Sequence, residues 1–286
     1  MLRRLVFVFV LIFPASAWAQ IDDRAGWSFS QRFQGTSNAS GTVLKTDSTV
    51  GYAADRYMNV YAGLPLYFSR PDAAVARGGS PEFLNGVGNL YLGVQTPVRS
   101  EVANYTSDIV VMAPTGSKTR GLNTGRVTFD WNNDVRRSFG PVTPYGDLGV
   151  GNTILDSSYF VRPFTSLGLV THFEGGAVLG VGPLVAVGGS AYSVRAISTQ
   201  RVISRVVDRP FVRGPGPGLG RSDRIFEVTP EVRVPADFLN DHGFAAWVDV
   251  KPESDLSLQV GYSRSFPYDY DSVFFGLGFK FGSLRR

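Results

Sequence analysis

The sequence predicts an all-β protein, a transmembrane antiparallel β-barrel of twelve to fourteen strands preceded by a cleaved signal peptide, on three observations. A basic, then apolar, then small-residue leader opens the chain. Beyond it, apolar and polar residues alternate in segments near the ~9–11 residues that cross a membrane as a tilted strand. The last of these segments ends in aromatics at alternate positions, Phe279 and Phe281, behind Gly276.

Arg3 and Arg4 begin the leader, Leu5 to Pro14 form an apolar run of ten, and Ala17-Trp18-Ala19 puts small residues at both recognition positions of a cleavage site. A spanning helix needs ~20 apolar residues, about twice this run. Residues 1–19 therefore read as a signal peptide and 20–286 as the barrel domain, with Gln20 first after cleavage. Removing the leader takes away two of 28 basic residues and none of 24 acids, so 26 − 24 leaves a net charge of +2. No polybasic block stands out, which argues against a nucleic-acid partner. The chain has no cysteine, so an exported protein of this length holds together without disulfides.

The 33 Gly, 21 Phe, 12 Tyr and 4 Trp accompany only 18% charged residues, against ~25% in soluble domains. A mean hydropathy of zero is too polar for a bundle of membrane helices. It suits a wall whose residues alternate between lipid and water.

Strands are expected near 26–36, 42–52, 57–68, 88–97, 104–113, 124–135, 142–152, 163–174, 178–193, 199–207, 224–234, 243–251, 256–266 and 271–281. In 126–135 the contrast is sharp: Val127, Phe129, Trp131 and Val135 share one face, while Arg126, Thr128, Asp130, Asn132 and Asp134 share the other. A helix would mix these sets, because its faces repeat every 3.6 residues. Segment 199–207 is the weakest, with Arg201, Ile203 and Arg205 on one face, and without it the even strand number of a bacterial barrel fails. In Val178–Val194 four glycines and Pro183 oppose a buried helix, since Gly costs ~1 and Pro ~3 kcal/mol in a helix interior. Asp55-Arg56, Gly175-Gly176 and Lys251–Asp255 are expected as periplasmic turns, and 69–87, 114–123 and 153–162 as longer extracellular loops. With fourteen strands the Gly-Pro-rich stretch 208–223 falls on the periplasmic side.

Alternation alone also fits a soluble sandwich, so the C-terminus decides between them. Gly276-x-x-Phe279-x-Phe281 resembles the C-terminal signal by which outer-membrane barrels are recognised for insertion, although five residues follow the last aromatic. It names the barrel-assembly machinery as an expected partner, alongside outer-membrane lipid.

No motif carries convincing chemistry. Gly116-Ser117-Lys118-Thr119 lacks the preceding glycine and the Gly-Lys adjacency of a phosphate loop. With two histidines and no cysteine, a metal site of that type is nearly excluded. His172 beside Glu174 and Ser166 is the one arrangement that a membrane hydrolase could use. A polar residue facing the lumen explains it more simply. No cofactor and no catalysis are expected.

The charged residues at inward parity form the informative set. Arg126, Asp130, Asp134, Asp147, His172, Glu174, Glu227, Glu231, Arg233, Asp249 and Lys251 are all expected to line the lumen. Eight strands are just filled by side chains and 16–18 leave a channel, so a barrel between these sizes either encloses a narrow pore or is filled by ion pairs.

Asn85 to Gly93, Ala113-Pro114-Thr115-Gly116, Thr143-Pro144-Tyr145-Gly146 with Gly151-Asn152, His172-Phe173-Glu174-Gly175-Gly176 and Gly261-Tyr262-Ser263-Arg264-Ser265 together resemble the outer-membrane transporter family associated with the meta-pathway of phenol degradation. Asn89 departs from the Asp usual there. The resemblance implies a barrel passing small solutes, often hydrophobic or aromatic, and brings no residue-level mechanism. The expected function is passive passage of a small solute through the outer membrane. The alternative is a non-conducting barrel that is structural or binds a partner.

Overall fold

The computed structural model describes residues 25–38, 41–71, 84–156, 160–206 and 229–281. The expected leader, 1–19, and the stretch 208–223 lie outside the described residues.

Alternation produces strands wherever it was found, and twelve of them close into one ring. In chain order the wall comprises β1 (Gly26–Asn38), β2 (Gly41–Ala53), β3 (Asn59–Pro71), β5 (Tyr91–Arg99), β6 (Asn104–Met112), β7 (Thr128–Arg136), β8 (Val142–Gly151), β10 (Val170–Gly180), β11 (Val185–Ala196), β14 (Asp241–Glu253), β15 (Leu256–Ser265) and β16 (Tyr270–Phe281). Each pairs antiparallel with the next. The ring closes where β1 meets β16, from Trp27 opposite Phe281 to Ser37 opposite Asp271. The short β4 (Leu84–Val87) continues the line of β5 on β3. The break at 88–90 falls opposite Pro65, which has no N–H to offer, and Gly88 N–H bonds to the Pro65 carbonyl instead.

The outward face is apolar on every strand. Val60, Leu64, Leu66 and Phe68 of β3, Ile109 and Val111 of β6, Phe129 and Trp131 of β7, and Val273, Phe275 and Phe279 of β16 are all exposed. A belt of this size stripped of lipid would aggregate in water, so these side chains lie against hydrocarbon. Aromatics mark both borders of the belt. Trp27 lies 5.0 Å from Tyr52 near one rim, and Phe244 clusters with Tyr262 and Phe266 near the other, as in the aromatic girdles of such barrels.

The two rims differ. One holds the ends of β1 and β16 and short turns at 54–58, 100–103, 137–141, 181–184 and 254–255. The longer connections at 113–127, 152–169 and 197–240 all leave from the other rim. Short turns and termini mark the periplasmic side. The described ends of the connection from β11 to β14, 197–206 and 229–240, therefore leave from the extracellular rim, where a count of fourteen strands would put them on the periplasmic one.

Three expected strands change role. Segments 199–207 and 224–234 contribute β12 (Gln200–Ser204) and β13 (Glu231–Val234), and 163–174 contributes β9 (Phe164–Leu167). These form a separate sheet, ordered β13-β12-β9, outside the ring. Gly175-Gly176 is no turn but the middle of β10, and the chain reverses at Val181-Gly182-Pro183-Leu184. A Cβ on Gly176 would come within 2.4 Å of the Gly189 carbonyl oxygen. That glycine serves close packing between strands rather than reversal.

Leu64→Arg would place a guanidinium midway along the lipid face of β3. It is expected to lower stability by about 2–4 kcal/mol, read as a shifted denaturant midpoint in bilayers. An unchanged midpoint would show that this face does not meet hydrocarbon.

Candidate functional site

The extracellular mouth is filled by the chain itself. The described parts of 152–169 and of 197–240 fold inward and carry the small sheet of β9, β12 and β13. Ile154, Phe160, Phe164, Val202, Val234 and Leu239 pack on inward residues of the wall: Val170, Val194, Ala245, Trp247, Tyr270 and Phe274. Opposite them a smaller cluster joins Val161 and Val206 to Val43, Tyr67 and Leu122.

Two ion pairs lie within this plug. Arg162, 1% exposed, donates from Nη2 to Asp241 on β14 at 3.0 Å and from Nη1 to the Leu155 carbonyl. Ser265 Oγ donates to the other oxygen of Asp241 at 2.6 Å. Arg205 donates from Nη1 to both oxygens of Asp156, at 2.9 and 3.0 Å, and lies 4.4 Å from the centre of the Tyr67 ring. Asp156 also accepts from Tyr67 OH at 2.7 Å and from Arg162 N–H at 2.9 Å. Burial opposes ionisation of Asp156, yet Arg205 and then Lys45 hold its carboxyl below the usual range. Burial likewise works against both guanidinium charges, but Asp156 raises the pKa of Arg205 and Asp241 that of Arg162.

Below the plug the inward wall is polar. Tyrosines and carboxylates pair across strands: Tyr61 OH donates to Asp108, Tyr91 OH to Asp47 at 2.9 Å, and Tyr145 OH to Glu174 at 2.7 Å. Tyr61 and Tyr91 cover each other's glycine neighbours, since a Cβ on Gly93 would strike the Tyr61 ring and one on Gly63 the Tyr91 ring. Asp108, Asp130, Asp134, Asp147 and Glu174 make one side of the lumen acidic over four neighbouring strands, β6, β7, β8 and β10. His172 stands among them, its Nε2 3.1 Å from both oxygens of Asp130 and its Nδ1 3.8 Å from Asp147.

The expected lumen residues separate into three groups. Asp130, Asp134, Asp147, His172, Glu174, Asp249 and Lys251 occupy inward positions of wall strands. Glu231 and Arg233 lie on β13 of the inner sheet rather than on the wall, and Arg126 in the exposed end of loop 113–127. Glu227 lies outside the described residues. Arg126 lies before the start of β7, beyond the reach of its parity, and for Glu231 and Arg233 periodicity cannot tell a wall strand from one in a plug. Nor do His172 and Ser166 form a catalytic pair: His172 bonds to Asp130, while Ser166, on β9, accepts the Ile154 N–H at 2.9 Å. The other histidine, His242, lies at the start of β14, which points Asp241 inward and His242 outward.

Asp108, Tyr61 and Tyr145 were legible, since each stands at inward parity of an expected strand. Arg162, Asp156 and Arg205 carried no periodic signal, because loop residues acquire partners only when the loops fold inward.

No protein-family model and no curated protein matches the chain. Among solved structures, an outer-membrane channel from Pseudomonas putida F1 is similar with a TM-score of 0.59 at 11% identity, over 93% of this chain and all of that one (100%). The NanC porin is similar with a TM-score of 0.50 at 8% identity, over 88% of this chain and 100% of that one. Ring, lipid belt and these likenesses define the class by its fold: a transmembrane β-barrel of the outer-membrane type.

Arg162→Met leaves Asp241 charged and unpaired in the plug. It is expected to weaken amide protection of residues 160–167 by about 3–5 kcal/mol, whereas R162M/D241L restores most of it. Asp156 has a depressed pKa, so its stabilisation is present above the ordinary value of ~3.9 and is lost as pH falls through the folded value. The same protection factors should hold from neutral pH to about pH 5 and fall only below ~3.9.

Proposed function

We propose that the protein is a passive channel of the bacterial outer membrane for a small solute. The carrying observation is the charged, tyrosine-lined wall below the plug. The inward acids Asp47, Asp108, Asp130, Asp134, Asp147, Glu174 and Asp249 outnumber, seven to six, the bases Arg32, Lys45, Arg99, Arg136, Lys251 and Lys280. A permanently dry interior gains little from so many charges, because each must be desolvated. A water-filled lumen keeps them hydrated.

The wider reading follows the sequence. Residues 1–19 direct export and are removed, and 20–286 insert as the barrel. Gly276, Phe279 and Phe281 of the last strand are read by the assembly machinery, and lipid surrounds the belt. Asp130, Asp134, Asp147, His172, Glu174, Asp249 and Lys251 line the path. Resemblance to the transporters of the phenol meta-pathway supports a hydrophobic or aromatic solute, and the rings of Tyr61, Tyr91 and Tyr145 supply faces for one. No step requires a cofactor or catalysis. One observation favours the alternative, a non-conducting structural or partner-binding barrel: the mouth is filled by residues 160–167 and 200–206.

Refolded protein in planar bilayers is expected to conduct and to prefer cations, with D108N/D147N moving the permeability ratio toward one. Silence both of this protein and of variants that loosen the contacts of residues 160–167 and 200–206 with the wall would reject the channel. Liposome swelling with phenols and with sugars separates an aromatic solute from a general one.

A further inference from the structure

The geometry points to the plug being a gate hinged over β8–β14 and latched against β1–β3, an inference that rests on the channel reading above. Both plug loops are rooted on four consecutive wall strands. Loop 152–169 joins β8 to β10, and 197–240 joins β11 to β14. From these roots the plug reaches across the mouth to β1, β2 and β3, which lie on the opposite side of the twelve-strand ring.

Its attachments differ between the two sides. On the rooted side, and beyond it as far as β16, Phe160, Phe164, Val202 and Leu239 pack into the large apolar cluster with Val194, Trp247, Tyr270 and Phe274. On the far side the holds are few and mostly polar. Val161 N–H donates to Thr36 Oγ1 at 3.2 Å, Ser69 Oγ donates to the Arg205 carbonyl at 2.8 Å, Tyr67 OH donates to Asp156 at 2.7 Å, and the Arg205 guanidinium lies 4.4 Å from the Tyr67 ring centre. Loop 113–127 adds the Gly121 carbonyl, 3.3 Å from Arg205 Nε, and Lys118, 3.8 Å from Glu231. The apolar cluster there has five members. Polar holds exchange readily for water, so the far edge separates at a smaller cost than the rooted one.

The wall is built to survive that separation. The plug sheet is not hydrogen-bonded into the ring, so its departure leaves the pairing of the twelve strands intact. The wall beside it is also fit for water, with Gln34 and Thr36 on β1, Ser69 on β3 and Ser272 on β16 buried at 4% exposure or less. Hydroxyl and amide side chains gain little in a permanent core, and wet without penalty when uncovered. The pore therefore opens along β1–β3 while the Arg162–Asp241 pair stays at the hinge.

The chain contains no cysteine, so T36C/V161C can be joined across the latch alone, by oxidation or with a short bismaleimide. Joined protein is expected to lose at least ten-fold in mean conductance, with reductant restoring the disulfide form. Y67F/S69A removes two holds and should raise the open fraction several-fold at unchanged single-channel conductance. Folding of every variant is checked by heat-modifiable gel migration. If the unmodified protein conducts and verified cross-linking changes nothing, the gate is overturned and the channel stands. If the unmodified protein is silent but Y67F/S69A conducts, the gate is supported as shut at rest. If neither conducts, nor the reduced double cysteine, the plug is permanent and the channel reading falls with the gate.

Discussion

Hydrocarbon offers no partner to a backbone N–H or C=O, and each one left unpaired costs several kcal/mol. A sheet can satisfy that constraint only by having no edge, and here β1 and β16 meet over eleven residue pairs to remove the last one. Much else follows from closure. A closed ring needs antiparallel neighbours joined by reversals at alternating rims, so the twelve strands return both ends of the wall to the same side. Closure also separates two solvents, which forces each strand to sort its side chains by parity.

That sorting leaves the interior with a different problem. Charged residues are placed where a folded protein normally keeps apolar ones. Their partners come mainly from strands one or two away: Tyr91 with Asp47 at 2.9 Å, Gln259 with both Arg32 and Asp249, and Tyr145 with Glu174. Such contacts tie nearby strands together on the wet side, as the hydrogen-bond ladder does along the backbone. The tyrosine hydroxyls serve the same end, because a phenol reaches a carboxylate one or two strands away and keeps its ring in the lumen.

Above this layer the plug is assembled like a small soluble domain inside the barrel. Its apolar cluster supplies the driving force, and the Arg162–Asp241 and Arg205–Asp156 pairs fix how it sits. Buried ion pairs contribute little net stability, but they penalise any arrangement that separates their charges. Both pairs join loop residues to partners fixed in wall or plug, so they specify one seating of the loops.

The sequence by itself determined the solvent of each wall residue, because parity is a local property repeated every second position. The outward Val60 to Phe68 of β3 and the inward Ser257 to Ser263 of β15 are legible without any partner in view. So was the acidic side of the lumen, through Asp130, Asp134 and Asp147. Only the tertiary structure decided which strands form the wall. β12 alternates as a wall strand does, yet Val202 and Ile203 are both 1% exposed, buried on its two faces within the plug. Only the fold could join Arg162 to Asp241 across 79 positions or Arg205 to Asp156 across 49. Those contacts exist because loops from one rim turn inward, and periodicity carries no information about the direction in which a loop folds.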